Sequence, residues 1–96
     1  MPRYFLNLRD RDGLHRDWDG DAFDSVDELR NDVVIGIKQI VADALVGGAT
    51  LSDALDRSYE IIDEAGITVL TISFAEGVAS PSRLLRREKA LGAAAR

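Results

Sequence analysis

The densest set of chemically capable side chains is a run of aspartates near the start of the chain. Clustered carboxylates are the ligands that Ca²⁺ and Mg²⁺ prefer. With Gly20 as the sixth position of a calcium loop, His15 is first and Val26 is twelfth, where carboxylates belong. With Gly13 as the sixth position, Leu8 is first. Since aspartate is also a turn residue, the pattern predicts solvated turns, and whether they bind a cation stays open. The aspartates are Asp10, Asp12, Asp17, Asp19, Asp21 and Asp24.

No combination of residues indicates catalysis. His15 is the only histidine, and a general base needs a nucleophile or a proton donor within reach. Ser25 is better explained as a helix cap, and one histidine without cysteine cannot form a zinc site. The pair Gly47-Gly48 is not followed by the lysine of a phosphate-binding loop. We therefore predict no catalytic residue, no metal and no cofactor, and a protein that is not an enzyme.

Two other features suit the binding of a partner. Trp18, the only tryptophan, either anchors a partner, as tryptophan does at interfaces, or closes the end of the core. Residues 77–96 carry a net charge of +4, whereas residues 1–76 carry −9. This basic segment either binds nucleic acid phosphates, although it lacks interleaved aromatic residues, or is solvated or docked on an acidic surface of a neighbouring copy. Its charges include Arg83, Arg86, Arg87 and Lys89.

A small set of secondary-structure elements must position these side chains. Alternating apolar and polar residues predict four strands, and apolar residues three and four positions apart predict one long helix. Hairpin connections make neighbouring strands antiparallel. The order ββαββ therefore predicts an α+β fold, a four-stranded antiparallel sheet with the helix packed on one face. The strands span Arg3–Arg9, Leu14–Trp18, Tyr59–Asp63 and Ile67–Phe74, and the helix spans Val26–Val46.

The long helix has clear start and stop signals. Ser25 and Glu28 match a capping box, and the pair Gly47-Gly48 provides a stop. Gly36, inside the helix, costs about 1 kcal/mol relative to alanine. It is therefore either neutral or the point at which another element approaches closely. The predicted core stripe contains Val26, Leu29, Val33, Ile37, Ile40 and Ala44.

A second apolar stripe lies on the opposite face of that helix and contains Ile35, Ala42 and Val46. One sheet cannot cover both faces of a helix. These residues are either scattered exposed positions, which are normal, or a patch that the C-terminal segment or a second copy covers. Together with a basic segment on an acidic body, the patch predicts a homodimer.

The remaining signals divide the chain into a body and a basic segment. Residues 50–57 fit a short helical turn, and Ser80-Pro81 fits the start of a short basic helix or tail. We predict a single domain in residues 1–76 and the basic segment in residues 77–96. The first residues lack the apolar core of a secretory signal, and no apolar run reaches the ~20 residues of a membrane span. A cytoplasmic protein is therefore expected.

Several short motifs occur together before residue 77. They are Pro2-Arg3-Tyr4-Phe5, Arg9-Asp10, Asp17-x-x-Gly20, Asp63-Glu64-x-Gly66 and Thr71-x-x-Phe74-Ala75. With the long helix, they resemble a family of short bacterial proteins, the domain of unknown function 6894. The resemblance covers residues 2 to about 76 and implies a single-domain ββαββ protein with no assigned activity. It supplies no catalytic residues, and the segment from Gly77 onward extends past the family pattern.

From these features we expect a small bacterial module that is not an enzyme, that binds protein or regulates, and that acts as a homodimer. The expected partner is a second copy or another protein, and no contact with a membrane is expected. The alternative is a nucleic-acid-associated, antitoxin-like regulator that uses the basic segment. The residues expected to contact a partner are Ile35, Ala42, Val46, Trp18, Arg83, Arg86, Arg87 and Lys89.

Overall fold

A computed structural model describes residues 1–82 and confirms the α+β class. An antiparallel sheet packs against one long helix and two short ones. The strands are β1 (Arg3–Asp10), β2 (Gly13–His15), β3 (Asp21–Ala22), β4 (Ser58–Asp63) and β5 (Thr68–Ser73). The helices are α1 (Val26–Val46), α2 (Leu51–Leu55) and α3 (Phe74–Ala79). The basic residues Arg83, Arg86, Arg87 and Lys89 lie outside the described residues.

The two central strands of the sheet are β1 and β4. The strand order is β2-β1-β4-β5, and β3 also pairs with β1. Every pairing is antiparallel, and β1 meets β4 in register from Tyr4 opposite Asp63 to Arg9 opposite Ser58. Strand β5 therefore forms one edge of the sheet, and the short strands β2 and β3 form the other.

The core lies between the helices and one face of this sheet. Tyr4, Ile61 and Ile72 are buried there, together with α1 residues and Phe74 of α3. Side chains alternate between the two faces of a strand. Phe5 and Ile62 are therefore directed to the opposite face, which no described helix covers. This uncovered face is the second surface of the sheet.

Helix α1 begins and ends where the sequence predicts. The Ser25 hydroxyl accepts a hydrogen bond from the Glu28 backbone N–H at 3.1 Å, and Gly47 forms the C-terminal cap. Of the predicted core stripe, Leu29, Val33 and Ile37 are buried, and Ile40 and Ala44 pack partly against the core. Val26 is 41% exposed, so its assignment to the core is wrong. Two further residues, Val34 and Val41, are buried although they lie outside the predicted stripe.

Helix α3 explains the wider buried face of α1. Gly77 of α3 lies so close to α1 that a Cβ atom there would stand 2.6 Å from Ile37 Cδ1 and 2.9 Å from Ile37 Cγ2. The Arg30 guanidinium also donates to the Ser80 hydroxyl at 3.3 Å. Arg30, Val34, Ile37 and Val41 follow one another at three- and four-residue spacing, so they share one flank of α1. Helix α3 covers this flank of α1, and the sheet covers the adjacent flank.

The sequence pattern places the start of α3 incorrectly. It predicts Phe74 as the end of a strand, but Phe74 is the first residue of α3 and is fully buried. A capping box starts the helix here: the Glu76 N–H donates to the Ser73 hydroxyl at 3.0 Å, and the Ser73 N–H donates to the Glu76 carboxylate at 3.5 Å. Ser80, predicted to begin a helix, instead forms the C-terminal cap of α3. The basic helix or tail predicted beyond it lies almost entirely outside the described residues.

The predicted second strand is also shorter in the structure. The alternation of Leu14–Trp18 predicts continuous pairing, but pairing stops at His15 and resumes only with the two-residue strand β3. The intervening residues 16–20 form a loop beside β1 instead. Among residues 1–82, each helix is too short or too polar to cross a lipid bilayer.

The two helical glycines give a matched test of this packing. A Cβ atom at Gly36 would have no neighbouring atom within 4 Å, so the close approach considered for it is not observed there. We expect Gly36→Ala to raise the free energy of unfolding by about 0.5–1 kcal/mol, because alanine favours the helix. We expect Gly77→Ala to lower it by about 1–3 kcal/mol, because the methyl group collides with Ile37. Urea denaturation followed by circular dichroism measures both changes, and equal effects would contradict the packing of α3 on α1.

Candidate functional site

The loop of residues 16–20 shapes the uncovered face of the sheet. It occupies the gap between β2 and β3, where the outer edge of β1 has no strand beside it. The Asp17 carboxylate fills that gap by accepting the Leu6 backbone N–H at 3.1 Å. In return, the side-chain oxygen of Asn7 accepts the Asp17 backbone N–H at 2.9 Å. Asn7 is only 4% exposed, so this side-chain pairing replaces strand pairing within a largely buried part of β1.

The same carboxylate also closes the loop on itself. Its second oxygen accepts the backbone N–H groups of Asp19 at 3.2 Å and of Gly20 at 3.1 Å. Burial by itself raises the pKa of Asp17, but the hydrogen bonds from Gly20, Leu6 and Asp19 outweigh burial and hold the pKa below its ordinary value. The carboxylate is therefore charged at neutral pH, and its charge organises the loop.

Gly20 presses the end of the loop against β1. Its φ of 70° lies in the left-handed region that glycine favours. A Cβ atom at this position would stand 2.8 Å from the Tyr4 carbonyl oxygen and 2.9 Å from the Phe5 ring. The close approach fixes the loop beside the Phe5 ring, at the end of β1 where β3 pairs.

Trp18 projects from the middle of this loop and is 79% exposed. Of the two roles left open for it by the sequence, closure of the core is therefore wrong. The guanidinium carbon of Arg16 lies 5.9 Å from the centre of the indole ring, within the range of a cation–π interaction. The loop thus presents an aromatic surface to solvent and already places one cation against it.

A shallow cleft of about 250 Å³ lies beside Trp18 on the uncovered face. We call it the Trp18 cleft. Phe5 and Ile62 provide apolar surface in it, and Asp63 and Glu64 stand at the turn between β4 and β5. The cleft is lined by Phe5, Asn7, Arg16, Asp17, Trp18, Ile62, Asp63, Glu64 and Gly66. It combines apolar and aromatic surface with carboxylates.

The carboxylates at the turn are held by backbone groups. Asp63 accepts the N–H groups of Ala65 at 2.9 Å and Ile67 at 3.0 Å, and Glu64 accepts the Arg3 N–H at 3.2 Å. Backbone N–H groups carry no net charge. The hydrogen bonds therefore orient these two side chains while leaving their negative charge in place.

A second cleft has a different character. It lies at the opposite end of the sheet and is lined by Asp10, Arg11, Asp12, Asp53, Asp56 and Arg57. The Arg11 guanidinium bonds Asp53 at 2.6 Å and Asp56 at 2.9 Å, and the bond from Arg11 lowers the pKa of Asp53. Two of its four carboxylates, those of Asp53 and Asp56, are thus already paired with a guanidinium, and no aromatic residue is among its lining residues.

Within residues 1–82, the hydrogen-bond partner of the His15 side chain is the Asp10 carboxylate. Its Nε2 lies 3.0 Å from both carboxylate oxygens of Asp10, and this bond, followed by the one from the Asp12 backbone, lowers the pKa of Asp10. The pair joins the ends of the β1–β2 hairpin. Within residues 1–82, no group of three or more histidine and acidic side chains is placed to hold a metal ion.

The residues predicted to bind a partner are not brought together. Trp18 lies on the uncovered face of the sheet, whereas Ile35, Ala42 and Val46 lie on α1, across the sheet from it. Val46 is 90% exposed, Ala42 is exposed and Ile35 is partly buried. Sequence reasoning missed Phe5, Ile62, Asp63 and Glu64 as cleft residues. The available signal was Phe5, which makes both faces of the first strand partly apolar.

A family model, Domain of unknown function (DUF6894), matches residues 3–75 of the chain. The match includes all five strands, α1, α2 and every residue of the Trp18 cleft. Comparisons with curated proteins and with solved structures give no match.

The charge of Asp17 makes the loop sensitive to acid. Because the folded pKa is below the ordinary value of 3.8, the stabilisation is complete above that value and is lost as pH falls through the folded pKa. We expect Asp17→Asn to lower the free energy of unfolding at pH 7 by about 1 kcal/mol, since one oxygen acceptor becomes a donor. We also expect the free energy of unfolding of this variant to depend less steeply on pH between about pH 5 and pH 2.

Urea denaturation at several pH values measures both effects of Asp17→Asn. The matched control is Asp19→Asn, which removes the same charge two residues away. If the two variants unfold with the same free energy and pH dependence, Asp17 does not hold the loop.

Proposed function

The chain belongs to the DUF6894 family, and we propose that it is a non-enzymatic protein-interaction module that acts as a homodimer. The observation that carries this proposal is the edge strand β5. Within residues 1–82, β5 pairs with β4 alone, and the other edge of β5 has no strand beside it. An unpaired edge presents a row of N–H and C=O groups that can pair with another chain.

Strand β5 lacks the charges that usually protect such an edge. A charge or a proline on an edge strand, a β-bulge, or cover by another element prevents unwanted pairing, and of these devices β5 has a bulge at Val69. Residues 66–75 contain no charged residue and no proline. Ile67 is 61% exposed just before the strand, and Thr68 and Thr71 are exposed within it. The composition therefore favours pairing with a partner.

The opposite edge of the sheet is protected in several ways. Strands β2 and β3 have only three and two residues, and short strands are poor templates for pairing. Between them, the Asp17 carboxylate accepts the Leu6 backbone N–H of β1, and the Asn7 side chain of β1 accepts the Asp17 backbone N–H. The contrast between the two edges supports β5 as the interface.

A second copy is the occupant that best fits this edge. The donor and acceptor row of an antiparallel edge is self-complementary under a two-fold axis, which is the commonest symmetry of dimers. A shift in register opposite Ile61 and Ile62 makes Val69 an extra residue in β5, so Leu70–Ser73 is the regular part available for pairing. This uncharged segment also lets two acidic bodies meet without placing carboxylates against each other.

The charge of the body favours a protein partner over nucleic acid. Residues 1–82 contain seven Lys and Arg against sixteen Asp and Glu, a net charge of −9. A surface of that sign repels phosphates. The nucleic-acid alternative depends on the basic segment alone, and no described residue adds to it.

The hydrogen bonds of the only histidine give it a structural role. Among the described residues, the His15–Asp10 pair most resembles an acid–base pair. The imidazole Nε2 is hydrogen-bonded to the two carboxylate oxygens of Asp10. Catalysis by such a pair needs a nucleophile or a bound substrate group at the free imidazole nitrogen. The pair instead links the last residue of β1 to the last residue of β2 in their hairpin.

A charge on β5 should abolish the dimer. Thr71 is exposed opposite Glu60 on β4, and the Glu60 carboxylate already bonds Arg9 of β1. We expect Thr71→Lys to fold, because the added ammonium stands at a solvent-exposed position beside a carboxylate. We expect the wild-type chain to elute with twice the mass of one 10.5 kDa chain and the variant to elute with the mass of one. Size-exclusion chromatography with light scattering measures both.

Two further variants locate the interface. Gln39→Lys adds the same charge at an exposed position of α1 and should leave the dimer intact. Val46→Lys tests the outer face of α1 and should also leave it intact. A wild-type protein with the mass of one chain would rule out the homodimer. Loss of the dimer in Val46→Lys but not in Thr71→Lys would move the interface to the outer face of α1.

A further inference from the structure

The Trp18 cleft carries an inference that does not depend on the homodimer. The indole ring of Trp18 is 79% exposed, although tryptophan is among the residues that contribute most to interfaces when covered. Phe5 and Ile62 lie in the same cleft. The cleft is therefore suited to a segment that carries apolar side chains.

The charges around the cleft favour a segment with a positive net charge. Asp63 and Glu64 receive their hydrogen bonds from backbone N–H groups, so their negative charge is not neutralised by those bonds. Arg16 is the basic side chain of the cleft, and it lies over the Trp18 ring. That contact shows that a guanidinium group fits against the indole. A segment with arginine and leucine side chains would satisfy both parts of the cleft.

We propose that the basic C-terminal segment of the same chain, residues 83–96, docks in the Trp18 cleft. The segment has a net charge of +4, with Arg83, Arg86, Arg87, Lys89 and Arg96 against Glu88. It also contains Leu84, Leu85 and Leu91. Its composition thus supplies cations for the carboxylates and the indole ring, and leucines for the apolar surface.

The position at which the chain leaves the described body allows this contact. Ser80 is held to Arg30, in the second turn of α1. Helix α1 begins shortly after β3, and β3 pairs with Arg3 and Tyr4, next to Phe5 of the cleft. The chain therefore leaves near the end of the sheet that carries the cleft.

The segment is long enough to pass from the helix layer to the uncovered face. Fourteen residues span up to about 46 Å when extended, whereas a helix with its side chains is only about 10–12 Å across. A short tether also gives an effective concentration in the millimolar range, which favours weak contacts within one chain.

The second cleft is a poorer site for the same segment. It too contains aspartates, but Asp53 and Asp56 are bonded to Arg11. A further cation there would have to displace that guanidinium. The lining of this cleft also lacks the aromatic and aliphatic surface that the leucines need.

Trp18 reports directly on the proposal because it is the only tryptophan. The full-length chain is compared with the full-length variant R83Q/R86Q/R87Q/K89Q, using acrylamide, a neutral quencher, and circular dichroism to compare the folds. We expect the quenching constant of Trp18 to rise about two-fold in the variant, because one face of the ring loses its cover. Sodium chloride should produce the same rise in the wild-type chain, since salt screens the ion pairs.

Removing a single charge from the cleft tests the contribution of the cleft to this contact. Glu64→Gln keeps the acceptor for the Arg3 N–H but removes the charge, and it should raise the quenching constant. The control Asp32→Asn removes the same charge from an exposed position of α1 and should leave it unchanged. The salt titration uses the unmodified chain, so the test remains decisive if a variant does not fold.

The remaining outcomes overturn the proposal. Equal quenching in the wild-type chain and the four-fold variant, with no effect of salt, means that the segment does not cover Trp18. Protection that disappears when the protein is diluted about a hundred-fold means that the segment comes from a second copy, because an intramolecular contact is independent of concentration. Equal effects of Glu64→Gln and Asp32→Asn mean that the contact is not made at this cleft.

Discussion

The helices of this protein cover one face of its sheet, and the remaining structure follows from that constraint. Strands β1 and β4 alternate between the buried side chains of Tyr4 and Ile61 and the outward side chains of Phe5 and Ile62. A strand has period two, so burying one set necessarily directs the other set to the opposite face. Because α1 and α3 lie together on one side, the loop beside β1 is the element that contacts the apolar residues of the second face.

That loop is organised by hydrogen bonds rather than by packing. A continuous strand along β1 would satisfy its backbone N–H groups, whereas here the Asp17 carboxylate performs this task for Leu6 and also binds two N–H groups of its own loop. A charged acceptor makes stronger hydrogen bonds than a neutral one, so a short loop can remain ordered beside the sheet. The cost is that Trp18, one residue further on, cannot reach the core.

The charges of the body are unevenly distributed among these elements. Carboxylates are frequent in the loops and turns, and several accept backbone N–H groups there, as Asp17 and Asp63 do. Strand β5 and the residues next to it carry no charge. The carboxylates thus support local structure in the loop beside β1 and at the β4–β5 turn, whereas strand β5 itself is neutral. This arrangement gives the two edges of one sheet different chemical properties.

The sequence by itself determined the α+β class, the positions of β1, β4 and most of β5, and the bounds of α1, because period-two and period-3.6 patterns and the Ser25 cap are local signals. It also contained a capping box at Ser73 and Glu76, which the alternation of the preceding strand concealed. Tertiary structure alone decided the burial of Val34 and Val41, the exposure of Trp18 and the assembly of the Trp18 cleft. These depend on contacts between residues far apart in the chain, such as Gly77 with Ile37 and Leu6 with Asp17. Local patterns record which residues share a face, but only packing determines what covers that face.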